Sequence, residues 1–317
     1  MTETTLASRA GYIIEVAGRA PSVHNTQPWR FVVSEDSIEL HADVSRQLAV
    51  DPDGRELIIS CGAALYGLRL AVRSLGRLPE VELLKEPPAL ARVWFGPATP
   101  MTAEERKMLA AVPHRHTHRG PFEPGPLPAG LLGRLQDDAR AEGAMLAVVG
   151  SAGVRRELAT IAAAAGRRQN RDPVSLAEMW HWSREPGSPA RDGVPAHAFP
   201  ASGEDAGRLP QRDFDLGRGL GLLSAGGPGP VVTAALLTAG DGARDWLRAG
   251  QALHRLLLRA ASQWVFARLD TRPLEDTMTR MRVRDCLAVP GSPQMLLALG
   301  ISRMAHATAR RPPADLT

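Results

Sequence analysis

Cysteine is nearly missing from this chain. Cys61 and Cys286 are the only two in 317 residues, and they lie far apart. That excludes a disulfide framework and any paired-cysteine zinc pattern, and suits a chain with free thiols in a reducing compartment. Lysine is equally scarce: only Lys85 and Lys107 occur, so the positive side of the formal +4 charge is almost all arginine. Aromatic residues make up 4% and do not interleave with basic runs, so the footprint of a nucleic-acid binder is missing. The start, "MTETTLASRAGY", has no apolar core of signal-peptide length. No uninterrupted apolar run reaches the ~20 residues of a membrane span. The expectation is a cytoplasmic protein with neither a membrane nor a nucleic acid as partner. Arginine suits bidentate phosphate binding, so a small anionic ligand fits better than a polyanion.

What is present is an apolar fraction of 44%, enough to bury a core without metals or cross-links. Leu6–Arg19 has helical spacing and stops at Pro21. "RFVVSEDSIELHAD" reads as two strands around a Ser-Glu-Asp-Ser turn, Asp53–Gly76 as a long apolar helix, and Ala89–Phe95 as a strand. The second half repeats part of this order. Asp53–Leu70 set over Asp241–Leu258 gives seven identities in eighteen positions, among them the Asp-Gly start and Gly62 over Gly250. Leucine and alanine coincide easily in any two amphipathic helices. The shared start and mid-helix glycine favour a duplication, with the two glycines letting the helices approach across a pseudo-twofold axis. The second helix also precedes a strand, Pro293–Gly300. Between these lies Ser183–Phe214, rich in Pro and Gly, read as a partly ordered lid.

Two short stretches are dense in hydrogen-bonding side chains. "APSVHNTQPW", Ala20–Trp29, is either a proline-bounded turn capped by Ser22 and Asn25 or a ligand segment. "PHRHTHRGPF", Pro113–Phe122, sorts by period two if extended. His114, His116 and His118 then share one face, a donor set for zinc or copper, but no nearby carboxylate supports it and flanking arginines would repel a cation. Arg115, Thr117 and Arg119 share the other face, with chemistry for a terminal phosphate or for a solvated basic surface. "GRGLG", Gly217–Gly221, has no clear preceding strand and is set aside as a nucleotide loop. Asp51, Asp53 and Glu56 read as helix-start carboxylates. No metal ligand set and no acid–base dyad is assigned.

"RAPSVHNTQPWRFVV" resembles the FMN-contacting motif of the nitroreductase superfamily. The ordered run "DPDGRELIISCGAAL", "RHTHRGPF", "DGVP", "DWLRAGQAL" and "GSPQMLLALG" is similar to one branch of it, the two-domain Acg-type proteins of actinobacteria. The resemblance implies an α+β nitroreductase fold duplicated in one chain as a pseudo-dimer, with halves 1–112 and 113–317 and a lid at about 183–214. It also implies one FMN, because the ring motif lies in the first half and the arginine motif in the second. Ser22, His24, Asn25 and Gln27 would lie against the flavin. Arg115, Thr117 and Arg119 would hold the phosphate, joined by Arg310 or Arg311 of the basic tail "ARRPP". Arg272 and Pro273 fall near the loop expected to face flavin N5. The chain departs from the family at His116 and at Ala298, where basic residues are common.

The resemblance further implies an FMN-dependent oxidoreductase acting on an electron-poor small molecule, with NAD(P)H as a candidate donor and further dimerisation open. The alternatives are a flavin-storage protein with a closed lid and a natural-product dehydrogenase or oxidase.

Overall fold

The computed structural model describes residues 6–84, 88–199, 209–221, 231–304 and 308–317. Residues 200–208 of the expected lid lie outside them. The architecture is α+β: two four-stranded antiparallel sheets flank a pair of central helices.

The helix α1 (Leu6–Gly18) leads into β1 (Trp29–Val33) and β2 (Ser37–Ala42), joined at the expected turn. The helix α2 (Arg55–Ser74) follows, then β3 (Arg77–Leu83), β4 (Ala89–Ala98) and α3 (Ala103–Ala111). The second half runs α4 (Leu131–Ala141), β5 (Ala144–Val148), α5 (Ala152–Gln169) and α6 (Pro173–Trp182). A two-residue pair, β6 (Ser183–Arg184) and β7 (Val194–Pro195), ties the irregular segment together. Then come β8 (Val232–Thr238), α7 (Ala243–Ala261), β9 (Val265–Asp270), α8 (Arg272–Glu275), α9 (Thr277–Leu287) and β10 (Ser292–Ile301).

The sheet orders are β1-β2-β4-β3 and β5-β8-β10-β9. In each, a long helix follows the second strand, and the fourth strand inserts between the second and third. The halves therefore share one topology.

Sequence periodicity explains how each sheet is covered. β1 alternates between core and solvent, because only one face packs on α1 and α2. β10 is buried along most of its length. Met295, Leu297 and Leu299 join the core beneath α4 and α7, whereas Leu296 joins the core against α5 and α9. A strand covered on both faces reads as an unbroken apolar run, as "QMLLALG" does.

α2 is buried nearly all round. It is long and apolar enough by composition to cross a membrane, which corrects the sequence expectation on that point, but 83% of the apolar window is inside the protein. The span is a core helix. α2 crosses α7 where Gly62 meets Gly250, and a Cβ on Gly62 would stand 2.2 Å from the Leu247 carbonyl oxygen. The C-terminal tail returns from the second half to the first: the Phe31 N–H donates to the Leu316 carbonyl at 2.7 Å, and Leu316 enters the α1–α2 core.

Candidate functional site

A cleft opens between the halves and encloses about 910 Å³, including its mouth. Ser22 and His24 line it from the first half, with Glu56, Ile59 and Ser60 of α2. Thr117, Arg119, Leu253 and Met295 line it from the second. Leu209, Pro210, Gln211, Arg212 and Phe214 of the irregular segment form another wall.

The backbone is unusual here. His24, Asn25 and Gln27 have φ of 50°, 58° and 51°. Non-glycine residues in the left-handed region cost free energy and persist where surroundings over-determine them. Surrounding bonds do so here. The Gln27 N–H donates to Ser22 Oγ at 2.9 Å. Asn25 Nδ2 donates to the Gly193 and Ala309 carbonyls at 3.0 and 3.1 Å. Gln27 Nε2 donates to the Arg191 carbonyl at 2.9 Å, and its Oε1 accepts from the Arg311 N–H at 2.8 Å. Ser22 and His24 thus face the cleft, whereas Asn25 and Gln27 turn to residues 191–193 and to the tail. Asn25 Oδ1 is buried without a hydrogen-bond partner.

The stretch Pro113–Phe122 runs extended along β9: the His118 N–H donates to the Ala267 carbonyl at 2.9 Å, and Thr117 bridges to Ala267. The three histidines share an aromatic cluster. His114 stacks on Trp264 at 5.3 Å, His116 packs on Phe266 at 4.5 Å and His118 on Phe122 at 4.5 Å. Opposite them the arginines turn inward. Arg115 is buried, donates to the Arg19 carbonyl at 3.0 Å, and leaves its Nε without a partner. Arg119 lies over the Phe214 ring at 5.4 Å. Arg310 bonds to the Thr308 and Ala309 carbonyls and also leaves Nε unpaired.

Among the described residues, no carboxylate pairs with Arg115, Arg119 or Arg310. Burial, with Arg119 beside it, pushes Arg115 down to about 10, and burial pushes Arg119 to about 10. Burial and the charges of Arg115, Arg19 and Arg119 push Arg310 well down. Arg115 is buried and Arg119 and Arg310 are half-buried; the three cations disfavour one another, and two keep an Nε–H without a partner, a donor set whose chemistry suits an anion. The residues fit a phosphate-bearing cofactor at this end. Arg311 turns away, donating to the Gln27 carbonyl at 3.4 Å.

Four further residues were not legible as site residues. Arg212 reaches from the irregular segment to His24 Nε2 at 3.3 Å and to Glu275 at 2.6 Å. Burial, Arg212 and Arg119 hold His24 neutral, well below its ordinary pKa. Arg268 stands across the ladder from Ala298, lines the cleft, and packs over Phe122 at 4.8 Å. Glu56 and Thr271 complete the wall. Arg272, expected near the cofactor, is held by Asp270 Oδ1 at 3.1 Å beside the cleft-lining Thr271.

No family model matches the chain. Comparison with known proteins gives relatives along most of its length. It is 37% identical over 295 residues to the Mycobacterium tuberculosis H37Rv protein named "Putative NAD(P)H nitroreductase Rv3131", covering 91% of this chain and 83% of that one. The chain belongs to the nitroreductase family, in its Acg-type branch. It is 28% identical over 307 residues to the H37Rv protein named "Putative NAD(P)H nitroreductase acg", covering 94% and 92%. A solved nitroreductase with bound FMN from Desulfitobacterium hafniense DCB-2 aligns with a TM-score of 0.41 at 13% identity, covering 67% of this chain and 96% of that one.

Proposed function

We propose that this Acg-type nitroreductase is an FMN-dependent oxidoreductase that reduces an electron-poor small molecule, and that its two halves, 1–112 and 113–317, are a fused pseudo-dimer holding one flavin. The observation that carries this reading is the cluster of Arg115, Arg119 and Arg310, without a carboxylate partner among the described residues, whose Arg119 lines a cleft reached by Ser22 and His24 from the other half. The shared sheet topology and the meeting of Gly62 with Gly250 support the pseudo-dimer.

Bound FMN would supply the hydride chemistry, and the protein supplies position and electrostatics. Arg115, Arg119 and Arg310 hold the phosphate, with Thr117 adding a hydroxyl. Ser22 and His24 present neutral hydrogen-bonding groups to the cleft. NAD(P)H is the candidate donor, as the relatives' names suggest.

One observation favours a second reading, a flavin-holding protein closed to NAD(P)H: Asn25 and Gln27 are engaged by residues 191–193 of the irregular segment. Reconstitution with FMN separates the cases. The expected product is a yellow protein with one FMN per chain, bleached anaerobically by dithionite. Bleaching by NADPH supports the reductase, and resistance to NADPH supports the second reading. A colourless protein rejects both.

A further inference from the structure

The first turn of α2 carries a carboxyl group for which helix capping gives no account. Glu56 is 3% exposed and lines the cleft. Its Oε1 accepts from Arg55 Nη2 at 2.9 Å, while its Oε2 is buried with no hydrogen-bond partner. Arg55 is itself shared: its Nη1 donates to the Gln294 carbonyl and Oε1 at 3.0 and 3.2 Å. The helix amide beyond Glu56 is already capped by Asp51 Oδ2, which accepts from the Leu57 N–H at 2.9 Å.

A buried carboxylate oxygen with no donor is costly, whereas a protonated one carries a hydrogen to offer. The charged groups facing Glu56 come from several elements. Burial and the carboxylate of Glu275 at α8 push its carboxyl well above the ordinary range, Asp51 adds to this, and Arg55 and Arg212 oppose it. Arg212 is itself paired with Glu275 at 2.6 Å.

We propose that Glu56 is the proton donor of the cleft, its Oε2–H handing a proton to the electron-poor acceptor as that acceptor is reduced. This rests on the flavin reading, which names the reductant class. A bound reduced flavin would supply the hydride equivalent to the acceptor and be oxidised in turn. The Glu56 O–H bond breaks, its electron pair stays on the carboxylate, and the proton forms the new O–H or N–H bond on the acceptor. A proton from bulk solvent, relayed by water at the cleft mouth, reprotonates Glu56.

Two measurements on wild type and Glu56→Gln test this. The glutamine keeps the shape and the acceptor for Arg55 but has no proton to give. Infrared spectra of the flavin-free protein at pH 7 are expected to show a protonated-carboxyl C=O band that Glu56→Gln removes. Next, FMN-loaded protein is reduced with dithionite and mixed anaerobically with menadione, and the return of oxidised-flavin absorbance is followed across pH. Glu56→Gln is expected to slow it about 10²-fold and to abolish its alkaline limb, while Glu56→Asp retains the limb. Absence of the band overturns the proposal. So does a band accompanied by identical pH profiles, which would make Glu56 a structural acid. Wild-type protein that retains no FMN overturns the flavin reading and the donor role together, whereas retained FMN with no band overturns the donor role alone.

Discussion

Gly62 and Gly250 meet at the crossing of the two central helices: a Cβ on Gly250 would stand 2.8 Å from the Gly62 Cα and 1.9 Å from the Ile59 carbonyl oxygen. The obstructing atoms are backbone, so no rotamer change relieves them. Gly250→Ala must push α7 off α2. Because Ile59 and Ser60 of α2 and Leu253 of α7 line the cleft, the cleft changes shape as well. Urea unfolding is expected to show a loss of about 1–3 kcal/mol or more. Unchanged stability would mean that the helices do not approach this closely.

Much of this fold was legible because each half speaks in simple periods. β1 and β2 follow residue alternation, α2 and α7 follow their apolar spacing, and the two glycines aligned in sequence also meet in space. The inward-facing pair Arg115 and Arg119 was legible from their alternating positions, and its phosphate role stays a proposal. The perturbed carboxyl of Glu56 was not legible, because its largest cause is burial and the next is Glu275, more than 150 positions away in the chain. A helix-start carboxylate is ordinarily solvated, and nothing local marks this one as buried. The engagement of Asn25 and Gln27 by Arg191 and Gly193 was hidden for the same reason: the partners are backbone carbonyls of an irregular segment, which no side-chain motif announces.

The arginine cluster predicts a ligand-specific loss. Arg119→Ala removes a forked cation from the cleft and Arg115→Ala removes a buried one. Hydrogen bonds to charged groups contribute about 1.5–3 kcal/mol each, or roughly 10–100-fold in affinity. Titration is expected to show that each variant weakens FMN by about this factor and leaves riboflavin, which lacks the phosphate, nearly unchanged. Equal loss for both ligands would reject the assignment and point to a general disruption of the cleft.

Asp192 helps fasten the irregular segment to the first half. Asp192 takes Nη2 of Arg184 at 2.6 Å and Arg46 from the first half, and the Gly193 carbonyl beside it accepts from Asn25. Burial raises the Asp192 carboxyl, but its bonds to Arg184 and Arg46 outweigh that and hold it below the ordinary carboxylate value. A group whose folded pKa is depressed contributes stability above its unfolded pKa, and that contribution is lost as pH falls through the folded one. The fastening is therefore complete at neutral pH and weakens below the ordinary carboxylate range of about 4. Asp192→Asn removes the charge at every pH. Limited proteolysis at pH 7 is expected to cut this variant faster than wild type between residues 184 and 199, and NADPH is expected to bleach its bound flavin faster. Faster cleavage without faster bleaching would show that the segment opens yet is not what limits access of the donor. Unchanged cleavage would show that Asp192 does not fasten it.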